Sequence, residues 1–245
     1  MNISSNDFYL DGYAREVIYD ENHWRILREK RLKGIRILEA LKRCGIDIAI
    51  VHGSIARGDV DTDSDIDVSL LKPYPYGIVK LCLEGNSFKI YSIVVVQPTP
   101  RHTPKIYLYL DHLEEQSISI PIVELEPIEI EYYRFSGMAT LNDLYMDRRV
   151  CGVNKELMFI EPTDRGHREF PVIGYEGYVA KRLGISINVV RDRVEALTRR
   201  AREGHTGLFI EREIPYFEEI ERAIEELCSE NTLFRRKVEK YGLCT

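Results

Sequence analysis

The tightest constraint on this chain lies between residues 46 and 71. An apolar run, Ile46 to His52, stops at Gly53-Ser54, and a second run, Ile66 to Leu71, begins beside two aspartates, Asp65 and Asp67. Short apolar runs bounded by turn residues read as buried strands. A glycine at the end of the first lets the backbone turn sharply and approach another group closely. Asp65 and Asp67 are two residues apart, so strand alternation puts both on one face, while Ile66 and Val68 point the other way into a core.

The elements around this segment alternate in type. Glu21 to Cys44 carries Trp24, Leu27, Leu32, Ile35, Leu38 and Leu41 at helical spacing, with Arg, Lys and Glu between them, and Gly45 ends it. Strands are expected at Phe88 to Val96, Ile106 to Asp111, Ile118 to Leu125 and Ile128 to Phe135, separated by prolines. After Gly137 the texture changes. Met138 to Arg149 reads as helical, 151–172 resists assignment, Glu176 to Arg202 reads as two helices divided by Gly184, and further helices are expected at Pro215 to Cys228 and at 232–241. These patterns predict an α+β chain, with a mixed-sheet domain over 1–150 and a helical domain over 151–245.

With 44% hydrophobic and 30% charged residues, the chain has the material for a core and a solvated surface. Its net charge of −6 excludes a protein coated in basic surface, though not a local basic patch. Five widely spaced cysteines without a CxxC pair suggest neither a zinc site nor a disulfide framework, and are expected to be reduced thiols in a cytoplasmic protein. Met1 to Asp11 lacks the apolar segment of a signal peptide, and no apolar run approaches the roughly 20 residues of a membrane helix.

The string Gly53-Ser54-Ile55-Ala56-Arg57-Gly58 has the parts of a phosphate-binding turn. A Gly-Ser turn at a strand end offers backbone N–H groups and a hydroxyl. Arg57 can pair with a phosphate. Asp65 and Asp67 offer the oxygen ligands that magnesium prefers. Asp59, Asp61 and Asp63 between the two halves read as a solvated loop, and His52 as a hydrogen-bonded structural histidine.

This combination, closed by Ser64-Asp65-Ile66-Asp67-Val68, resembles the DNA polymerase beta-like nucleotidyltransferase superfamily and is most similar to its minimal archaeal and bacterial members. The resemblance covers residues 47 to 71 by motif and 24 to 135 by order of elements. It implies a polymerase-beta-like core and transfer of NMP from an NTP, ATP being expected, to a hydroxyl, with pyrophosphate released and Mg2+ or Mn2+ required. Gly53, Ser54, Arg57 and Ser64 would hold the nucleotide, and Asp65 and Asp67 the metal. It also implies a third carboxylate on a later strand beside the pair. Asp111, Glu124, Glu129 and Glu131 are available, and Glu129, with Glu131 as the alternative, is favoured because Ile128-Glu129-Ile130-Glu131 alternates as a strand. The acceptor stays open between an RNA 3′ end, a protein hydroxyl and a small molecule.

In the C-terminal half, Gly177 to Arg200 has the pattern of a helix-turn-helix. Ala180 is small where two helices would cross, Gly184 takes the turn, Ser186 caps the second helix, and Val190, Val194 and Leu197 form its buried stripe. Residues 171–210 hold seven Lys and Arg against four Asp and Glu, whereas 211–230 hold two against eight. Arg191, Arg193, Arg199, Arg200 and Arg202 are candidates for nucleic-acid contact, with Thr206 to Ile214 as a β-wing that would make the domain winged-helix-like. The bland alternative is a helical domain that packs on the catalytic part. A nucleotide-sensing DNA-binding regulator, an antitoxin-like protein with a helical partner, and a homo-oligomer are therefore carried forward beside the enzyme.

Overall fold

The structure is a computed structural model describing residues 14–204, 207–215 and 218–244; the N-terminal segment read for a signal peptide, Met1 to Asp11, lies outside them. In chain order the elements are β1 (Arg15–Ile18), α1 (Glu21–Arg43), β2 (Ala49–His52), α2 (Ser54–Arg57), β3 (Ile66–Leu70), α3 (Tyr76–Gly85), β4 (Ser92–Gln97), β5 (Lys105–Tyr109), β6 (Gln116–Pro121), α4 (Pro127–Ser136), β7 (Met138–Ala139), α5 (Leu141–Tyr145), β8 (Gly152–Val153), β9 (Met158–Thr163), β10 (Gly166–Pro171), α6 (Glu176–Leu183), α7 (Ile187–Glu203), β11 (Ile210–Glu213), α8 (Ile220–Glu230) and α9 (Thr232–Val238). This is an α+β chain with sheets and helices interspersed.

Two compact units divide it, and each takes three stretches of chain: 1–32, 52–64 and 131–205 in the first, 33–51, 65–130 and 206–245 in the second. They are not consecutive halves, because the chain passes between them within α1 and within α4.

In the first unit, β1, β10, β9 and β8 form an antiparallel sheet in that order. The unassigned stretch 151–172 supplies three of these strands, so the expected helical C-terminal domain is partly sheet. Phe159 and Phe170 pack at its centre, their rings 5.1 Å apart, and α6 and α7 contribute Val179, Ala180 and Val190 to the same core. Gly184 adopts a left-handed conformation between the two helices, and the Ser186 side chain accepts from the Asn188 amide to cap α7. The two helices expected on either side of Gly184 are present, with Val194 and Leu197 partly buried against this core.

In the second unit, six strands lie in the order β11, β4, β5, β6, β3, β2. The β3–β6 pair is parallel, while β4–β5, β5–β6 and β11–β4 are antiparallel, so the sheet is mixed. Ile66, Val68 and Leu70 of β3 are buried, as are Ile118 and Ile120 of β6. Two disulfides lie here, Cys44–Cys82 and Cys228–Cys244, and Cys151 in the first unit is a free thiol. This corrects the expectation of reduced thiols: residues far apart in sequence meet at a Cα separation of 6.0 Å in both pairs, which spacing along the chain could not show.

Three further expectations are corrected. Residues 127–136 are a helix, not a strand: Pro127 suits a first helical turn, and the Glu129 side chain accepts from the Glu126 amide, the return half of a capping box. Ile210–Glu213 is not a wing, because it pairs along β4 as the edge of the second unit's sheet; Thr206, where the wing was to begin, lies outside the described residues. Helix α8 starts at Ile220 rather than Pro215.

Candidate functional site

The Gly-Ser turn belongs to the first unit. Gly53 leaves β2 with φ +75°, a conformation that side chains disfavour, and α2 begins at once. The Gly53 amide donates to the Gly137 carbonyl at 3.0 Å, while no side chain caps the first amides of α2. The Ala56 and Arg57 amides both donate to the Gly53 carbonyl at 3.1 Å, which leaves the Ser54 and Ile55 amides at the helix start.

Arg57 stands elsewhere than expected. It is buried, and its guanidinium forms a two-pronged pair with Asp59, both N–O distances 2.9 Å, and donates to the carbonyls of Ser136 (2.5 Å) and Val153 (3.3 Å). Its donors fasten the turn instead of facing solvent, which corrects the assignment of Arg57 to a phosphate. Ser64 is likewise engaged: its Oγ donates to Asp61 and accepts the Asp61 amide, closing a local turn. Asp59 is thus an ion-pair partner and Asp61 a turn partner. His52 packs its ring 5.0 Å from Tyr133, in keeping with a structural role.

Two residues missed by the sequence reading hold the same segment. Lys30 donates to the Thr62 (2.9 Å) and Ser64 (2.6 Å) carbonyls. Arg31 donates to the Ile55 and Ala56 carbonyls at the end of α2, to the Arg148 carbonyl and to Asp147. Both are buried, and burial lowers the Arg31 pKa while Asp147 works against that. The signal was present: 30 and 31 fall on the stripe set by Leu27, Ile37, Leu38 and Leu41, whereas Leu32, assigned to the stripe, is 55% exposed.

The aspartate pair belongs to the second unit. Asp65 immediately precedes β3 and is exposed; Asp67 is the second residue of β3 and half-buried. In the parallel β3–β6 register Asp67 lies opposite Ser117 and Ser69 opposite Ser119. Ser117 Oγ donates to Asp67 Oδ1 at 2.8 Å, and the Ser69 and Ser119 hydroxyls are 2.7 Å apart. Tyr109 lies opposite Ser117 on β5. Burial raises its phenol pKa, and Glu114, Asp67, Glu211 and Asp65 all push the same way, so the field along this part of the sheet is negative.

Of the four carboxylates proposed to join this pair, Glu129, Glu131 and Asp111 are engaged elsewhere. Glu129 is 3% exposed, and its oxygens accept from the Thr103 amide (2.9 Å), the Thr103 hydroxyl (2.5 Å) and the Glu126 amide (3.0 Å). Glu131, in the first unit, accepts the Ser186 amide at 2.7 Å. Asp111 takes the Leu113, Glu115 and Gln116 amides. Glu124 is exposed just before α4. Among the described residues no three His, Cys, Asp or Glu side chains are grouped to hold a metal ion. Asp65 and Asp67 are two hard oxygen donors, a set that could hold at most one divalent cation whose remaining ligands come from elsewhere. They do not make a three-carboxylate centre.

On α7, Arg191, Arg199, Arg200 and Arg202 are exposed, and Arg202 pairs with Glu203. Arg193 differs: it is half-buried over the Tyr132 ring at 5.5 Å, and burial lowers its pKa. It packs within the first unit, which removes it from the candidate nucleic-acid face.

Comparison with known proteins gives no match to a family model, a curated protein or a solved structure. Among the described residues no helix is long and apolar enough to cross a membrane.

Proposed function

We propose that this chain is a metal-dependent nucleotidyltransferase that moves NMP from an NTP, ATP first among them, to a hydroxyl acceptor and releases pyrophosphate. The observation that carries this reading is the pairing, along one short stretch of chain, of a strand-end Gly53-Ser54 turn with uncapped amides and a strand-borne Asp65/Asp67 pair. Their order and spacing are the argument for assigning both to one nucleotide. Gly53 and Ser54 bind phosphate oxygens through backbone N–H groups and the Ser54 hydroxyl. Asp65 and Asp67 hold Mg2+ or Mn2+, which when bound neutralises charge on the phosphates of the reacting nucleotide. Arg57, Lys30 and Arg31 keep the turn in shape rather than touching the ligand.

The test is incubation of the full chain with α-labelled NTPs, Mg2+ and separate pools of RNA, protein and small-molecule acceptors. Labelled product with pyrophosphate release is expected, and both disappear in Asp65→Ala and Asp67→Ala. A preparation that releases no pyrophosphate with any pool, or whose activity survives both substitutions, refutes the reading.

A second reading, a nucleotide-responsive nucleic-acid-binding protein, is favoured by one observation: α6, the left-handed Gly184 and the Ser186-capped α7 have helix-turn-helix form with Arg191, Arg199 and Arg200 exposed. DNA retardation that weakens steeply with salt and changes with ATP supports it.

A further inference from the structure

We infer that Ser117 is a positioning residue for the Asp67 carboxylate, and that with a hydroxyl rather than a further carboxylate opposite Asp67 this chain takes up a single divalent cation with its nucleotide. The inference rests on the nucleotide-binding reading of Asp65 and Asp67, and all the residues it uses lie in the second unit.

Strands β3 and β6 are parallel neighbours with Asp67 opposite Ser117, so the two side chains emerge on the same face. The next pair on that face is Ser69 opposite Ser119. Beside the aspartate pair β6 therefore presents hydroxyls. Ser117 is 4% exposed and its Oγ donates to Asp67 Oδ1 at 2.8 Å. A hydroxyl that donates to one oxygen of a carboxylate fixes its rotation and leaves the second oxygen to a cation. It brings no negative charge of its own, so the centre carries two negative charges rather than three. Two divalent ions a few ångströms apart repel each other strongly and need more carboxylate than that.

Glu114 and Glu211 add negative charge at Tyr109, but among the described residues no third acid is grouped with the pair to hold an ion. Asp111 accepts three amides of its own turn, and Glu129 is committed to Thr103 and Glu126. The Glu115 carbonyl accepts the Ile66 amide at 2.7 Å at the mouth of the ladder, and among the described residues no group of three ligating side chains includes its carboxylate. The fit is to one ion that shares its shell between Asp65, Asp67 and phosphate oxygens.

The experiment is a Mn2+ titration of the full chain by electron paramagnetic resonance in the presence of adenosine 5′-(α,β-methylene)triphosphate, which does not turn over. Wild type is expected to saturate at one Mn2+ per chain. Ser117→Ala weakens that ion roughly tenfold, the effect of losing one hydrogen bond to a charged group. Ser117→Thr, which keeps the hydroxyl, restores affinity to within about twofold of wild type, an outcome that a merely space-filling serine would not produce. Ser117→Asp saturates at two ions. Thermal melting of each variant shows that it is folded. Saturation of wild type at two ions, undiminished affinity in Ser117→Ala, failure of threonine to rescue, or a single ion in Ser117→Asp overturns the inference. Undiminished Mn2+ affinity in Asp67→Ala instead overturns the reading of the site itself, so the two failures are distinguishable.

Discussion

Replacing Arg57 by alanine separates a structural arginine from a phosphate ligand. The guanidinium is buried, its side chain 6% exposed and that of its partner Asp59 11%. The substitution removes a two-pronged ion pair and two bonds to the Ser136 and Val153 carbonyls, and it leaves the Asp59 carboxylate buried without its cation. Breaking one side of a buried, hydrogen-bonded pair costs about 3–5 kcal/mol. For a chain of this size each kcal/mol moves the melting temperature by about 2–4 °C, so a loss of roughly 10 °C is expected. Asp59→Asn relieves the uncompensated charge, and the double variant Arg57→Ala/Asp59→Asn should lose less than the sum of the single variants. The assay is thermal and urea unfolding of the four proteins as a double-mutant cycle, with ATP affinity measured below the melt of each. A coupling near zero with an unchanged melt, together with a large fall in ATP affinity, refutes the reasoning and returns Arg57 to the phosphate.

Two further outcomes follow from the structure. The Cys44–Cys82 and Cys228–Cys244 bridges close segments with sequence separations of 38 and 16 residues, so on the chain-entropy view Cys44→Ser and Cys228→Ser lower unfolding stability by about 4 and about 3 kcal/mol; a free-thiol titration of five in the unfolded, unreduced chain would show that neither bridge exists. Burial works to raise the Asp111 and Asp143 carboxyls, but the amides of residues 113, 115 and 116 around Asp111, and Thr140 and Arg148 around Asp143, outweigh it and hold both below their ordinary value. Groups depressed in the folded state stabilise it above the unfolded pKa, near 4, and that contribution fades as the pH falls through their folded values. The urea midpoint should therefore drop on acidification below about pH 4, less steeply in Asp111→Asn/Asp143→Asn; an unchanged slope in that variant refutes the assignment.

The parts of the fold legible in the sequence are those where one local signal acts without competition. The run closing on Gly53-Ser54 and the Asp65-Ile66-Asp67-Val68 alternation marked the end of β2 and the span of β3, since buried strands leave uninterrupted apolar runs and the turn needs its glycine, although β2 begins at Ala49 rather than Ile46. Gly184 and Ser186 likewise marked the boundary between α6 and α7. Residues 127–136 were misread because Ile128-Glu129-Ile130-Glu131 satisfies a two-residue period while Pro127 and Glu129 satisfy a helix start. The start signals prevailed once Thr103, remote in sequence, supplied two donors to Glu129. Strands β8, β9 and β10 escaped notice because their partners, and that of β1, are set by the sheet rather than by sequence pattern. Ser117 escaped for a related reason: nothing about a serine in Gln116-Ser117-Ile118-Ser119 reports that Asp67 lies opposite, which only the β3–β6 register reveals.

The use of cations around the Gly-Ser turn bears on how such a turn can meet a triphosphate. Lys30, Arg31, Arg57 and Arg149 all donate to backbone carbonyls of the first unit, between them those of Thr62, Ser64, Ile55, Ala56, Arg148, Ser136, Val153, Gly166 and Thr163. A carbonyl satisfies a donor without cancelling its charge. Asp59 and Asp147 offset Arg57 and Arg31, but Lys30 is held by carbonyls, and Arg149 by carbonyls and the Trp24 ring at 4.8 Å. Lys30, Arg31 and Arg57 are buried and Arg149 is half-buried, so these charges sit at fixed positions and those of the buried three are weakly screened. On the proposed reading, a turn supported in this way would need no mobile arginine to attract an anion, because it would offer the phosphates amides already held in place by the scaffold. In that reading the motif arginine would contribute to phosphate binding through the backbone shape it enforces, by its bonds to Asp59 and to the Ser136 and Val153 carbonyls, rather than through contact.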